Sequence, residues 1–348
     1  MKISRSLSNH AGPRRSPHEV VRRLARWVTP DTTAEGPVRE LEDRVAGLLG
    51  KQKALFFPSG TMAQQSALRV HAERTGRHAF AGHPQSHLHV WENQGYSAVH
   101  GLRFHPVGDR NGLLGLDDLK TVKEPLAAVV FELPQRDIGG RLPTFDDLRL
   151  QTDWVRSQGA AAHCDGARIW EAQTGLDAAL AEIAGLFDTV YVSLYKGLEG
   201  VRGAVLAGDA GTIEHAEVWR RRLGGAIADA WPLAAIALMG MDENLPRMAE
   251  FKAHARALAK AINDDGFAHT TPEVPATPLF HVHLPMPREQ AQRAAENLAE
   301  ETGIKLFLHA RSNPDPRRCS FEVSVGIGAL ELAPGEVAEL IRGLPSRV

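Results

Sequence analysis

The chain has 348 residues, 43% hydrophobic and 24% charged, with a formal net charge of −2. That length allows a large domain plus a smaller one and a core that needs no disulfide staples. The near-neutral balance excludes chains that work mainly on nucleic acid or an anionic membrane surface.

In chain order, residues 1–30 are polar, basic and broken by Pro13 and Pro17, and read as an arm followed by a short helix at 19–27. The first thirteen residues carry charges and no apolar run, so no signal peptide is expected. Val38, Leu41, Val45, Leu48 and Leu49 fall at helical spacing. A short strand at 54–57 leads into Ser59-Gly60-Thr61, a turn that opens a helix to about residue 75. Strands are then predicted at 78–81, 101–106, 127–132, 160–164, 189–193 and 203–207, and helices at 116–122, 144–158, 176–183 and 211–222. Short apolar strands alternating with helices indicate a mostly parallel sheet covered on both faces. The longest apolar stretch, 230–241, is too short to span a bilayer and reads as a buried helix. It belongs to a helical region over 229–264, read as two helices meeting near Pro246. A Thr- and Pro-rich stretch at 270–279 enters a second unit, with strands at 279–284, 304–309 and 319–325 and helices at 288–302 and 334–342. The domains expected are an arm at 1–30, a large domain at 31–265 and a small C-terminal α/β domain at 266–348. Cys164 and Cys319 cannot form a disulfide framework and neither lies in a C-x-x-C motif. A reducing, cytoplasmic setting follows, with Cys164 a small core residue.

Three segments carry chemistry. In His163-Cys164-Asp165-Gly166-Ala167-Arg168, an apolar strand ends on an aspartate before a glycine turn. Ligands collect at such strand ends in α/β sheets, although a loop acid capping the next helix looks the same. In Ser193-Leu194-Tyr195-Lys196-Gly197-Leu198, a lysine follows the end of another strand. It is either a solvated surface lysine or an amine whose pKa is lowered enough to form a Schiff base. Ser59-Gly60-Thr61 opens a helix, where unpaired N–H groups make a phosphate site. Together they supply what pyridoxal 5'-phosphate (PLP) needs: a phosphate anchor, a carboxylate for the ring nitrogen and a lysine for the aldehyde. His83, His87 and His89 lack a standard zinc spacing, and no metal is expected. The run Arg220-Arg221-Arg222 reads as a solvated helix face or an anion site.

These segments resemble the threonine aldolase and β-eliminating lyase family of PLP enzymes. Further matches are Arg5-Ser6, His87 with Glu92, Gly139-Gly140-Arg141-Leu142-Pro143, and Trp219-Arg220 leading to Gly224-Gly225. The resemblance implies the PLP-dependent transferase-like fold (fold type I), an α/β large domain with a small C-terminal domain. It implies Lys196 as the Schiff-base lysine and Asp165 as the partner of the pyridinium nitrogen. It further implies Arg168 and Ser6 near the substrate carboxylate, His87 stacked on the cofactor ring, and Gly60 and Thr61, with Ser59, at the phosphate. A homo-oligomer, dimer or tetramer, is implied as well, with the Gly224-Gly225 loop and the arm reaching between subunits.

The chain departs from the family in places. Glu132-Leu133-Pro134-Gln135-Arg136 stands where the family has Glu-Asn-Thr-His-Asn, so Gln135 replaces a histidine near the substrate hydroxyl, and Arg136 is a new charge. Gln135 can hydrogen-bond but cannot take a proton, and Arg136 either binds an anionic side chain or carboxylate or is only a surface arginine. Thr32-Thr33 replaces a Tyr-Gly pair. The second carboxylate-binding arginine falls near Ser320-Phe321, with Arg311, Arg317 and Arg318 as substitutes. The expected function is cleavage of a β-hydroxy-α-amino acid to glycine and an aldehyde. His83, or a water held by Gln135, would be the base. The alternatives are β-elimination or racemisation on a related amino acid, and more remotely a non-catalytic amino-acid-binding protein on the same fold.

Overall fold

The computed structural model describes residues 3–9 and 15–348. Its contacts divide into two units: Val21–Asp137 with Leu142–Asp242, and Ile138–Arg141 with Glu243–Val348 and the described residues up to Val20.

The first unit follows the alternation in the sequence: α1 (Gly36–Leu49), β1 (Lys53–Phe57), α2 (Gly60–Thr75), β2 (Ala79–Gly82), β3 (Arg103–Pro106), β4 (Ala128–Glu132), α3 (Phe145–Ser157), β5 (Ala161–Gly166), α4 (Ile169–Leu176), β6 (Thr189–Ser193), β7 (Ala204–Gly208), α5 (Ala210–Arg222) and α6 (Trp231–Asn244). The seven strands make one sheet in the order β1-β7-β6-β5-β4-β2-β3. Only β7 runs against its neighbours, so the sheet is mostly parallel, as predicted. Strands β4 to β6 are apolar and buried nearly throughout because helices cover both faces. Cys164 is fully buried within β5. The apolar stretch at 230–241 forms most of α6, with Ala234, Ala235, Ile236, Ala237, Leu238 and Met241 buried. Among the described residues, no helix is long and apolar enough to cross a membrane.

The second unit contains α7 (Met248–Asp265), β8 (His269–Thr271), β9 (Leu279–Leu284), α8 (Arg288–Thr302), β10 (Arg311–Ser312), β11 (Cys319–Ser324) and α9 (Pro334–Arg342). Its four strands pair in the order β10-β11-β9-β8, and Arg5–Ser6 pairs separately with Ile304–Lys305. The helical region breaks at a 3-10 turn, Leu245–Arg247, as Pro246 predicts.

Three local readings change. The helix predicted at 176–183 begins only at Leu180 and runs to Gly185, while the separate helix α4, which ends at Leu176 before Asp177 takes a left-handed φ of 50°, went unpredicted. The strand predicted at 304–309 is only Ile304–Lys305. Leu306 and Phe307 are both buried, and consecutive buried side chains break the period of two expected of a strand with one covered face. Short helices at His87–Val90 and Gly95–Ala98 went unpredicted, since four residues show no helical period.

The core holds a pair of histidines with a clear consequence. His71 Nε2 and His163 Nδ1 each lie 2.8 Å from the same Thr189 hydroxyl. Burial pushes His71 down to about 4 and His163 down to about 3 from an ordinary 6.5. The unfolded chain therefore takes these protons first as pH falls. The stability they allow is complete above about pH 6.5 and is lost as pH drops towards 4. Melting curves should move to lower temperature between pH 7 and pH 5, with a shallower dependence in His71→Gln.

Candidate active site

The carboxyl ends of β4, β5 and β6 lie side by side, and register sets Glu132, Asp165 and Tyr191 level with one another. A parallel sheet collects functional groups there because each strand hands its chain to a loop on the same edge. A small cavity lies at this edge, lined by His87, Glu132, Arg136, Asp165, Arg168 and Lys196, with Leu133, Pro134 and Ala167 as apolar wall.

Lys196 sits on a tight loop just past β6, closed by Gly200 N–H donating to Leu194 O (2.8 Å) and Glu199 N–H donating to Lys196 O (2.9 Å). Helix α6 braces the loop: any Cβ at Gly240 would overlap the Leu198 carbonyl. Burial first, then the Arg168 charge, pushes the Lys196 ammonium down to about 8. The lowered pKa brings the neutral, nucleophilic amine closer to reach at neutral pH than in an exposed lysine.

Asp165 is 1% exposed, and its Oδ1 accepts the Ala167 N–H at 3.1 Å. Arg168, 4% exposed, stands at the start of α4. His87 begins the short helix after β2, and its Nδ1 lies 3.2 Å from Glu92 Oε1. A carboxylate only accepts, so Nδ1 is the donor. Glu92 is in turn held by Gln65 Nε2 at 3.2 Å, which fixes the imidazole's orientation. Arg136 packs its guanidinium over Trp91, 5.6 Å from the ring centroid.

Other residues expected here stand elsewhere. Ser59 is the N-cap of α2, its Oγ accepting the Met62 N–H at 3.2 Å. Gly60 and Thr61 begin that helix, and the Tyr191 phenol stands where a Cβ on Gly60 would be, so only glycine fits. None of the three is part of the cavity wall. Gln135 turns its amide away from the cavity, donating to Gln85 O and Glu132 Oε2, both at 3.3 Å. Ser6 lies in the second unit and donates to Ser8 O at 3.0 Å. His83 does not serve as a base. Its Nδ1 accepts the Gln85 N–H at 3.0 Å and its Nε2 donates to Gly112 O at 2.8 Å, so neither nitrogen is left to take a proton. His89 bonds the Tyr96 hydroxyl, and among the described residues no group of three metal-ligating side chains forms. Of the substitute arginines, Arg317 and Arg318 are exposed and engaged by Asp315, whereas Arg311 pairs in register with Ser320 and bonds Glu322 at 2.8 Å. In the basic run, Arg220 donates to Phe56 O at 2.8 Å and Arg222 stacks on Trp219.

Two acids carry more weight than their sequence context suggests. Glu132 lies at the cavity wall, accepting N–H bonds from His87 (3.0 Å), Arg136 (3.2 Å) and Gln135. Burial, then the Asp165 charge, raises it to about 7. Glu171, 3% exposed on α4, packs against the residue after the lysine: a Cβ at Gly197 would stand 2.5 Å from its Oε1. Burial raises its pKa, and Arg168 and Lys196 oppose that shift. Glu132 ends a predicted strand, the same signal that marks Asp165. Glu171, three residues past Arg168 on α4, has no such signal.

A mostly parallel α/β sheet gathers an amine, two acids and two guanidiniums from its strand ends at one cavity, the group set of an enzyme active site. A family model of β-eliminating lyases matches residues 31–284. The low-specificity L-threonine aldolase 1 of Arabidopsis thaliana is 31% identical over 282 residues, covering 77% of this chain and 78% of that protein. A candidate L-allo-threonine aldolase from Listeria monocytogenes EGD-E superposes with a TM-score of 0.91 at 35% identity, over 100% of this chain and 97% of the other. A candidate aromatic amino acid β-eliminating lyase/threonine aldolase from Exiguobacterium sp. 255-15 does so at 0.91 and 34%, over 100% and 98%. The chain belongs to the threonine aldolase and β-eliminating lyase family.

Proposed function

We propose that the protein is a PLP-dependent lyase that cleaves the Cα–Cβ bond of a β-hydroxy-α-amino acid to glycine and an aldehyde. The observation that carries this is the meeting of Lys196, Asp165, Arg168 and His87 at one strand-end cavity in a chain of this family. The residues present fit the cofactor: a buried amine with a lowered pKa, a buried carboxylate, an imidazole held in one orientation, and a glycine at a helix start that leaves no room for a Cβ. Lys196 would hold the aldehyde, Asp165 the ring nitrogen, His87 the ring face, and the N–H groups of Gly60 and Thr61 the phosphate. Bound there, the cofactor supplies an electron sink for the pair released when a bond to Cα breaks.

The chain's own groups do the rest. Arg168 holds the substrate carboxylate with its planar fork, which fixes which Cα bond is aligned for cleavage. Asp165 keeps a proton on the ring nitrogen by offering a buried negative charge. Glu132 takes the β-hydroxyl proton: it lines the cavity, and a group near 7 is matched to proton transfer at neutral pH. Leu133, Pro134 and Ala167 supply the apolar part of the wall. Activity should therefore rise with pH through about 7 as Glu132 ionises. Glu132→Gln should remove that rise and lower kcat by ~10²–10⁴-fold, measured as a kcat–pH profile.

The proposal extends to a cytoplasmic homo-oligomer, dimer or tetramer, supported by two unpaired buried thiols and by exposed Val201 and Ile227, the latter beside the Gly224-Gly225 loop. Equilibrium sedimentation tests the assembly. The activity is tested by incubating the protein with threonine, allo-threonine and phenylserine. Equimolar glycine and aldehyde are expected; ammonia and a 2-oxo acid without glycine would instead establish β-elimination.

A further inference from the structure

The cavity presents two guanidiniums, and a simple β-hydroxy-α-amino acid such as threonine has one carboxylate. Arg168 begins α4 and Arg136 begins the 3-10 turn Arg136–Ile138 after β4, and both line the space that Lys196 lines. They reach it from different strand ends: Arg168 follows β5 and Asp165, and Arg136 follows β4 and Glu132. With Arg168 on the α-carboxylate, as proposed above, Arg136 is a second guanidinium at the same cavity, left to face the substrate's side chain.

Arg136 is also held ready. Trp91 supports the face of its guanidinium, and its Nη1 is 3.6 Å from Asp137 Oδ1. Asp137 is fixed by the Trp91 Nε1–H at 2.6 Å, and the Arg136 backbone N–H is fixed on Glu132. A guanidinium braced this way loses little entropy when it takes a carboxylate in its fork.

We infer that Arg136 binds the far end of the substrate, and that the favoured substrate is a β-hydroxy-α-amino acid whose side chain ends in a carboxylate. This rests on the lyase reading above. The simplest such compound is 3-hydroxyaspartate. Its Cα–Cβ bond would break, the β-hydroxyl proton would leave as the aldehyde C=O forms, and Cα would gain a proton. The products are glycine and glyoxylate, with no oxidant or reductant consumed.

The test compares kcat/KM of the holoenzyme for 3-hydroxyaspartate diastereomers with threonine and allo-threonine, in the native protein and in Arg136→Gln. The native protein should favour 3-hydroxyaspartate by roughly 10- to 100-fold, the worth of one charge-assisted pair, and the substitution should collapse that ratio. Calorimetry on the holoenzyme gives a readout without turnover. Succinate should bind at least about 10-fold more tightly than butyrate, and Arg136→Gln should remove the difference. Equal losses on all substrates in Arg136→Gln would put this arginine on the α-carboxylate and overturn the inference. So would native protein that cleaves threonine but shows no preference for 3-hydroxyaspartate. Absence of glycine from every substrate would instead bring down the lyase reading itself.

Discussion

Lys196→Ala is expected to lower turnover on the order of 10⁴-fold or more and to leave the purified protein without the visible absorbance of a lysine-bound cofactor. The reason lies in how the lysine is held. Its loop is closed by two backbone hydrogen bonds and braced by α6, and no other lysine lines the cavity among the described residues. The substitution carries a second expectation that separates function from stability. Burial and Arg168 together outweigh Asp165 and Glu132, so the folded protein disfavours the ammonium. With its pKa below the ordinary value, this cation works against folding at neutral pH. The cofactor-free alanine variant should therefore melt at or above the cofactor-free native protein. A general unfolding defect would lower both melting temperature and activity; loss of the reactive amine lowers activity alone.

Asp165→Asn is expected to reduce kcat by ~10²–10³-fold, the usual cost of removing one fixed charge from the place where charge develops. Asparagine keeps the shape and can still accept the Ala167 N–H, so the fold should persist. The substitution should also act on its neighbour. After burial, the Asp165 charge is the main reason the Glu132 carboxyl titrates near 7. Removing a like charge favours the ionised carboxylate, so the acidic limb of the pH profile should move to lower pH. A variant with lower kcat and an unmoved limb would show that Glu132 is not the group that sets it.

The site was readable in the sequence to the extent that strand ends were. Asp165 and Lys196 each follow an apolar run that could only be a buried strand, and parallel topology brings those ends to one edge. What could not be read was how partners are shared between distant segments. Gln135 follows a strand end too, yet its amide is spent on Glu132 and a backbone carbonyl. His83 is near the site in sequence, but backbone atoms from residues 85, 109 and 112 use up its ring. Glu171 matters because α4 carries it to Gly197, and no local pattern encodes that meeting. The fold was legible for a similar reason. Period and punctuation set β4 to β6 and the break at Pro246, whereas α4 is a short helix that ends on the left-handed Asp177 without a glycine or proline to mark it.

Every role proposed for the cavity depends on Lys196 being the amine that carries the cofactor. Borohydride reduction of the native protein, followed by proteolysis and peptide mass mapping, reads this directly. One pyridoxyl phosphate adduct per chain is expected, on the peptide containing Lys196. An adduct on another lysine, or none on protein that still releases glycine and aldehyde from substrate, would contradict it.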